Sequence, residues 1–161
     1  WCGSDMMRTA YMPISWEEAK NKVDAWKSQG ETVVFTNGCF DILHKGHITY
    51  LQQAAALGEH LIIGLNADES VKKLKGEGRP VNSESDRAFM LNSLRFVDEV
   101  VIFNEETPLE LLKCLEPDIL VKGGDYSVED VIGKEYAGEV RILPFVKGYS
   151  TTQIINKILG K

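Results

Sequence analysis

Val33-Val-Phe-Thr-Asn-Gly-Cys-Phe-Asp-Ile-Leu-His-Lys-Gly-His47 is the stretch from which the rest of the chain can be organised. Thr32 to Thr36 is an apolar run rich in β-branched residues and reads as a buried strand. Asn37-Gly38 ends it with a turn signal, and a helical pattern opens at Gly46-His47. Ile48, Leu51, Ala54, Ala55 and Leu57 then recur at close to helical spacing. A strand, a glycine-containing turn and a helix N-terminus form an anion site, because unpaired N–H groups and the helix dipole both favour negative charge. His44 and His47 stand at that entrance, with Gly46 between them keeping the backbone approachable. With three histidines in the whole chain and no cysteine cluster beside them, the pair does not complete a metal ligand set, and no metal residue is assigned.

Working outward, the 161 residues suffice for one domain with a sizeable core. A hydrophobic content of 43% with 26% charged residues is ordinary for a soluble globular protein. The net charge of −6 argues against general nucleic-acid binding, so an anionic ligand needs a local basic cluster. No stretch has the length and apolarity of a membrane span, and no signal peptide is recognised. Cys2, Cys39 and Cys114 are scattered and odd in number, which argues against a disulfide framework and makes the cytoplasm the simplest compartment. Residues 1–14 read as a tag remnant (Trp1-Cys2-Gly3-Ser4) or disordered N-terminus, and 15–161 as a single domain with a flanking first helix.

Ser15-Trp16-Glu17-Glu18 fits a capping box whose helix runs to about Ser28 and stops at Gly30. His60 to Leu65 is a second buried strand, and Asn66 ends it at the carboxyl edge, where ligands of open α/β sheets bind. Val71 to Pro80, with four cations near two glycines, reads as a mobile basic loop in which Lys75 and Arg79 are the first candidates for phosphate. Asn82 or Ser83 caps a helix that continues through Leu94, so that Arg87 and Arg95 share a face; Arg87 is the better candidate for a nucleotide contact. Asp98 to Phe103 is the third strand, and Thr107-Pro108 opens the next helix with proline at its first position. Cys114 there is a small core residue.

Pro117 to Lys122 is the fourth strand, followed by Gly123-Gly124-Asp125-Tyr126. Paired glycines at a strand end allow the backbone to approach a flat ring, which suits recognition of a base through main-chain groups. Glu139 to Phe145 is the fifth strand, placed toward an edge by its proline. Ser150, Thr151 and Thr152 precede a last helix from Gln153 to Leu159, a second phosphate cradle. The alternation of strands and helices predicts an α/β fold: a Rossmann-like, doubly wound, five-stranded parallel sheet.

From Thr32 to Ile158 the chain resembles the cytidylyltransferase-like branch of the nucleotidyltransferase superfamily. The resemblance is carried by Thr36 to His47 with its His-x-Gly-His signature, Leu74 to Asn82, Leu120 to Tyr126 and Ser150-Thr-Thr152. Within that branch it is most similar to the adenylyltransferase domain of bacterial enzymes that activate D-glycero-β-D-manno-heptose 1-phosphate for lipopolysaccharide. The Arg-Pro-Val-Asn and Lys-Gly-Gly-Asp-Tyr segments point that way. Glycerol-phosphate cytidylyltransferases carry an arginine five residues before the Ser-Thr-Thr segment, where this chain has Phe145, whereas Arg95 is similar to the cytidylyltransferase side.

The resemblance implies transfer of AMP from ATP to the heptose phosphate, with release of pyrophosphate. The alternative is a cytidylyltransferase acting on glycerol 3-phosphate or another alcohol phosphate. His44 and His47 would act on the α- and β-phosphates, with Ser150 and Thr151 holding the leaving phosphates. Thr36, Asn37, Gly38, Phe40, Gly46, Lys122, Gly124, Asp125, Tyr126 and Thr152 would surround the nucleotide, and Asp41, Asn66, Lys75 and Arg79 would receive the sugar phosphate. Mg²⁺ would arrive on ATP, with few direct protein ligands. The implied companions are a homodimer partner and a sugar kinase domain, fused or separate; the chain would then be a stand-alone adenylyltransferase or an excised domain. The residues themselves offer no convincing nucleophile–base pair. A phosphate oxygen that is already anionic needs no base, so direct in-line attack is the economical mechanism.

Overall fold

The computed structural model describes residues 12–161. The reading of residues 1–11, Trp1 to Ser4 included, lies outside the described residues. Helix α1 (Trp16–Ser28) starts at the expected capping box, with Ser15 accepting from the Glu18 N–H and Glu18 reaching back to the cap. It buries Ala19 and Val23, and the Trp16 indole N–H donates to the Ile102 carbonyl at 2.9 Å. Strands β1 (Val33–Gly38), β2 (His60–Asn66), β3 (Glu99–Phe103), β4 (Ile119–Gly123) and β5 (Glu139–Leu143) form one sheet in the order β3-β2-β1-β4-β5. Every pairing is parallel, with Val33 opposite His60 and Ile119 opposite Glu139. The Rossmann-like doubly wound architecture is therefore the one the sequence predicts.

The strand side chains alternate between two cores, as a sheet covered on both faces requires. Val34, Leu61, Ile63 and Val121 pack with Leu51 and Ala54 of α2 (Lys45–Ala55) and with Ala88 and Leu91 of α4 (Glu84–Asn92). Val33, Phe35, Ile62 and Leu120 face the other way, against α1 and against Leu111, Leu112 and Leu115 of α5 (Leu109–Leu115). Each such fully buried aliphatic or aromatic side chain is worth about 1.5–3 kcal/mol relative to exposure. The sheet's position is set by this double packing, and its carboxyl edge is left for loops.

Several local readings change. The stretch read as a mobile basic loop from Val71 is half helix: α3 (Asp68–Lys75) buries Ser70 and Val71. Its first turn carries Asp68 and Glu69 and its last turn Lys72, Lys73 and Lys75, an arrangement that complements the helix dipole at both ends. Only Gly76 to Pro80 remains irregular, with Gly76 and Gly78 at positive φ. Helix α4 is capped by Ser83 and ends at Asn92, so the exposed Arg95 lies beyond it and shares no helical face with Arg87. Pro108 takes the cap position of α5 rather than its first turn. Helix α6 (Thr151–Ile158) begins two residues earlier than the pattern suggests, with Ser150 as its cap. No helix among the described residues is long and apolar enough to cross a membrane.

Candidate active site

Strands β2 and β3 lie on one side of β1, and β4 and β5 on the other, so the sheet has a switch point between β1 and β4. A cleft of about 500 Å³ opens there, at the carboxyl ends of β1, β4 and β5, as the rule for open α/β sheets requires.

His44 caps α2 with an extended backbone, and its Nδ1 accepts from the His47 N–H at 3.3 Å. An accepting Nδ1 fixes the neutral ring's proton on Nε2, so that nitrogen is a donor. The His47 ring stacks on it, with centroids 3.8 Å apart and planes 19° from parallel. Burial and the neighbouring His44 hold His47 down to about 4, against a weak opposing pull from the Ile42 carbonyl. Burial also lowers His44. Both rings are therefore neutral donors near pH 7. His47 Nδ1 is buried and makes no hydrogen bond of good geometry among the described residues, which costs about 1–3 kcal/mol. Phe40, edge-on to His47 at 5.3 Å, sits at φ 47°, a left-handed backbone that bulky residues adopt only under constraint.

The second helix N-terminus in the cleft belongs to α6. The Ser150 Oγ accepts from the Gln153 N–H at 3.0 Å, and the Thr151 hydroxyl donates to the Ile42 carbonyl at 3.2 Å, tying α6 to the loop that carries the histidines. A Cβ on Gly46 would lie 2.8 Å from the Tyr149 Cβ and 2.9 Å from His44 Cε1. Glycine is thus what lets the two helix starts meet, and together they direct two sets of unpaired N–H groups at one volume.

Asn37, Gly38, Phe40, Gly46, Lys75, Arg79, Lys122, Tyr126 and Thr152 line the cleft with His44, His47, Ser150 and Thr151. Others expected at a ligand are placed differently. Asp41 lines the cleft but is 3% exposed, and its carboxylate is filled by the Val81 and Asn82 N–H groups and by Arg79 Nε at 2.8 Å. Burial alone would raise its pKa, but the Asn82 and Val81 amides and the Arg79 guanidinium outweigh it and hold the carboxyl below its usual range. Asp41 therefore clamps the 79–82 loop instead of receiving an anion. Arg87, 1% exposed, donates to the Cys39, Asn66 and Asn82 carbonyls and to Asp68, so it braces the loops from beneath and is not among the lining residues. Asn66 is likewise buried, with its amide nitrogen on Ser70 Oγ at 2.9 Å.

Thr36 lies under the floor, its hydroxyl donating to the Val121 carbonyl at 3.0 Å and sitting 2.7 Å from the Tyr50 hydroxyl. Tyr50 itself lines the cleft, and burial pushes its phenol up to about 12, keeping it a neutral partner. Gly124 and Asp125 fall outside the lining. Phe145 covers the glycines, its ring 2.8 Å from where a Gly124 Cβ would be and 3.3 Å from a Gly123 Cβ. The flat ring that the paired glycines admit is the protein's own.

Gly123, one of the paired glycines, lines the cleft as well, and so do Cys39, Tyr50, Phe145, Val146 and Tyr149, to which the sequence assigns no ligand contact. Phe145 and Tyr149 could have been suspected, since both stand in the loop leaving β5 at the sheet's carboxyl edge. Tyr50 looks in the sequence like one more apolar position of α2.

A family model described as cytidylyltransferase-like matches residues 35–157. The chain is 63% identical over 131 residues to the bifunctional protein HldE of Campylobacter fetus, covering 81% of this chain and 29% of that protein. It is 56% identical over 135 residues to the bifunctional protein HldE of Wolinella succinogenes, covering 84% of this chain and 28% of the relative. The chain thus spans under a third of the length of these curated relatives. Among solved structures, the lipopolysaccharide core biosynthesis protein of Thermoplasma volcanium aligns with a TM-score of 0.62 at 27% identity, covering 75% of this chain and 100% of that one. The match over most of its length and the stacked histidines at the switch point agree: the chain belongs to the cytidylyltransferase-like family.

Proposed function

We propose that the described domain is a nucleotidyltransferase that moves AMP from ATP to D-glycero-β-D-manno-heptose 1-phosphate, releasing pyrophosphate. The observation that carries this reading is the convergence of two neutral imidazole donors and two helix N-termini on one cleft. Such a site is complementary to a triphosphate, and most of all to the charge that grows on the α-phosphate as it is attacked. The acceptor's phosphate oxygen attacks in line and the pyrophosphate oxygen leaves, so the protein supplies position and charge stabilisation and removes no proton. The Nε2–H of His44 and the ring of His47 serve the α- and β-phosphates, while Ser150, Thr152 and the start of α6 hold the departing pair. Lys75 and the free guanidinium nitrogens of Arg79 receive the sugar phosphate. The substrate is MgATP: among the described residues the one carboxylate lining the cleft, Asp41, is occupied by the 79–82 loop, which fits a cation carried by the nucleotide.

The heptose assignment is supported by the Arg79-Pro80-Val81-Asn82 and Lys122-Gly-Gly-Asp-Tyr126 segments and by the structural relative being a lipopolysaccharide core biosynthesis protein. Relatives named bifunctional, of which the matched stretch is under a third, fit a separate domain for a second reaction, for which a sugar kinase is our reading. Pyrophosphate release measured with ATP or CTP against heptose 1-phosphate or glycerol 3-phosphate, with product masses, tests the assignment. ADP-heptose formation is the expected result. Turnover only with CTP and an alcohol phosphate would move the activity to a cytidylyltransferase, and ATP binding without release on any sugar phosphate would leave a binding module.

A further inference from the structure

We infer that Phe145 is a specificity-determining residue for the nucleobase: one face of its ring rests on Gly123-Gly124 and the other offers the base a stacking platform, with Tyr126 and Lys122 lining the same cleft. The inference rests on the reading of the cleft as a nucleoside-triphosphate site and adds a residue to which no role has been given.

Phe145 is 72% exposed although it lines the cleft, and large apolar side chains at the wall of a binding cleft are surfaces that a ligand covers. Its orientation is not that of a loose surface ring. Gly124, at φ 111°, donates its N–H to the Leu143 carbonyl at 2.9 Å, which fixes the β4 exit against the end of β5. Any side chain at Gly124 would run into the Phe145 ring. Across Gly123 stands Tyr50, 3.1 Å from that residue's Cβ position, so the ring is braced on a floor continuous with the Thr36–Tyr50–Val121 hydrogen bonds.

The neighbouring groups suit a heteroaromatic ring. Tyr126 is 49% exposed and also lines the cleft, with the Lys122 ammonium 5.4 Å from its ring centroid. Burial pulls the Lys122 pKa below its usual value. A platform with a cation at its edge favours a flat, electron-rich ligand carrying ring-nitrogen acceptors, and a purine offers more stacking area than a pyrimidine. Tyr149, next to the Ser150 cap of α6, stacks toward His44 at 6.2 Å, so the phosphate-binding groups gather around Tyr149 while Phe145 is the ring offered to the base.

The experiment is a calorimetric titration of the chain and of its Phe145→Ala and Phe145→Tyr variants with ATP, CTP and inorganic tripolyphosphate, paired with steady-state kinetics. Phe145→Ala should weaken ATP by about 10- to 100-fold, the range of a lost base–aromatic stack, and should leave tripolyphosphate unchanged. It should raise KM for ATP with little change in kcat, weaken CTP less than ATP, and be rescued by Phe145→Tyr. Unaltered ATP affinity in Phe145→Ala, or an equal loss for ATP and tripolyphosphate, would overturn the inference while the unsubstituted chain still binds and turns over ATP. Failure of the unsubstituted chain to bind any triphosphate would overturn the underlying reading as well, and the two failures are distinguished by that control.

Discussion

The sheet has histidines at both of its ends, and the two environments are opposite. At the amino end, His60 opens β2 with Nδ1 3.1 Å from Asp98 and Nε2 3.2 Å from Glu31, and its ring lies on Trp26 at 3.9 Å. Burial there lowers the imidazole pKa, but the two carboxylates outweigh it and raise it above the ordinary value. At the carboxyl end, burial acts alone or with a second imidazole, and both His44 and His47 are lowered. Asp41, an acid lining the same cleft, has its oxygens filled by the backbone and Arg79. A histidine that already has carboxylate partners has its positive charge answered within the fold. A pair without such partners among the described residues, where two helix starts meet, is waiting for an anion from outside. The difference separates function from scaffolding more sharply than exposure does.

The largest effect expected from breaking this contrast is on turnover. Removing one transition-state donor typically costs about 10²–10³ in rate. His47→Ala should therefore lower kcat by that amount in a pyrophosphate-release assay while ATP still binds, whereas His60→Ala should leave kcat unchanged. Equal kcat losses in both variants would erase the distinction between the two ends.

A smaller loss is expected from disturbing how the donors are held. Gly46→Ala would put a Cβ 2.8 Å from the Tyr149 Cβ, an atom tied to the backbone, so the lead-in to α6 must move. Overpacking of this kind costs about 1–3 kcal/mol of stability. A displacement of about 1 Å can cost up to about 10²-fold in rate. A denaturation midpoint that falls together with kcat is the expected outcome; an unchanged kcat would separate α6 from catalysis.

How much of this was legible in the sequence follows from what kind of force fixes each feature. The five strands, their parallel arrangement and the histidine-bearing turn were readable because periodicity, caps and glycines act locally. Ser15, Ser83 and Ser150 each cap the helix that follows them. What failed was the assignment of long polar side chains. Arg87 and Asp41 look in a sequence like ligand-binding groups, and Asn66 stands at the right edge. Each is spent on bracing loops, through partners up to 48 residues away in the Arg87 and Asp41 cases. A sequence shows that a guanidinium is present and not which carbonyls it meets. Phe145 shows the converse: the sequence makes it the last residue of the fifth strand, standing where glycerol-phosphate enzymes carry arginine, but β5 ends at Leu143 and the ring turns out to line the cleft.

Titration sharpens the comparison from the carboxyl end. In the free protein His47 is neutral down to about pH 4, and an anion beside it favours the imidazolium. Pyrophosphate or ATP should move the His47 Cε1–H titration upward, and calorimetry near pH 5.5 in buffers of different ionisation enthalpy should register proton uptake. Binding without uptake would place the anion away from the ring.

The smallest effect is on stability, and here the two ends should pull in opposite directions. His60 has a folded pKa above its unfolded one, so the native state binds the proton more tightly. Its contribution is complete below the unfolded value near 6.5 and disappears as pH rises through the raised value. His47 has a folded pKa lowered to about 4, so its contribution is complete above 6.5 and disappears as pH falls from 6.5 to about 4. Partly exposed ion pairs are worth about 0.2–1 kcal/mol, which sets the scale for His60. Denaturant midpoints followed from pH 5 to pH 9 should show the alkaline decline removed by His60→Gln and the acid decline reduced by His47→Gln. A His60→Gln chain that keeps its alkaline decline would mean that Glu31 and Asp98 hold the amino end by their backbone bonds alone, Asp98 through the Leu61 N–H at 2.7 Å. The two histidine environments would then differ in chemistry at the cleft only.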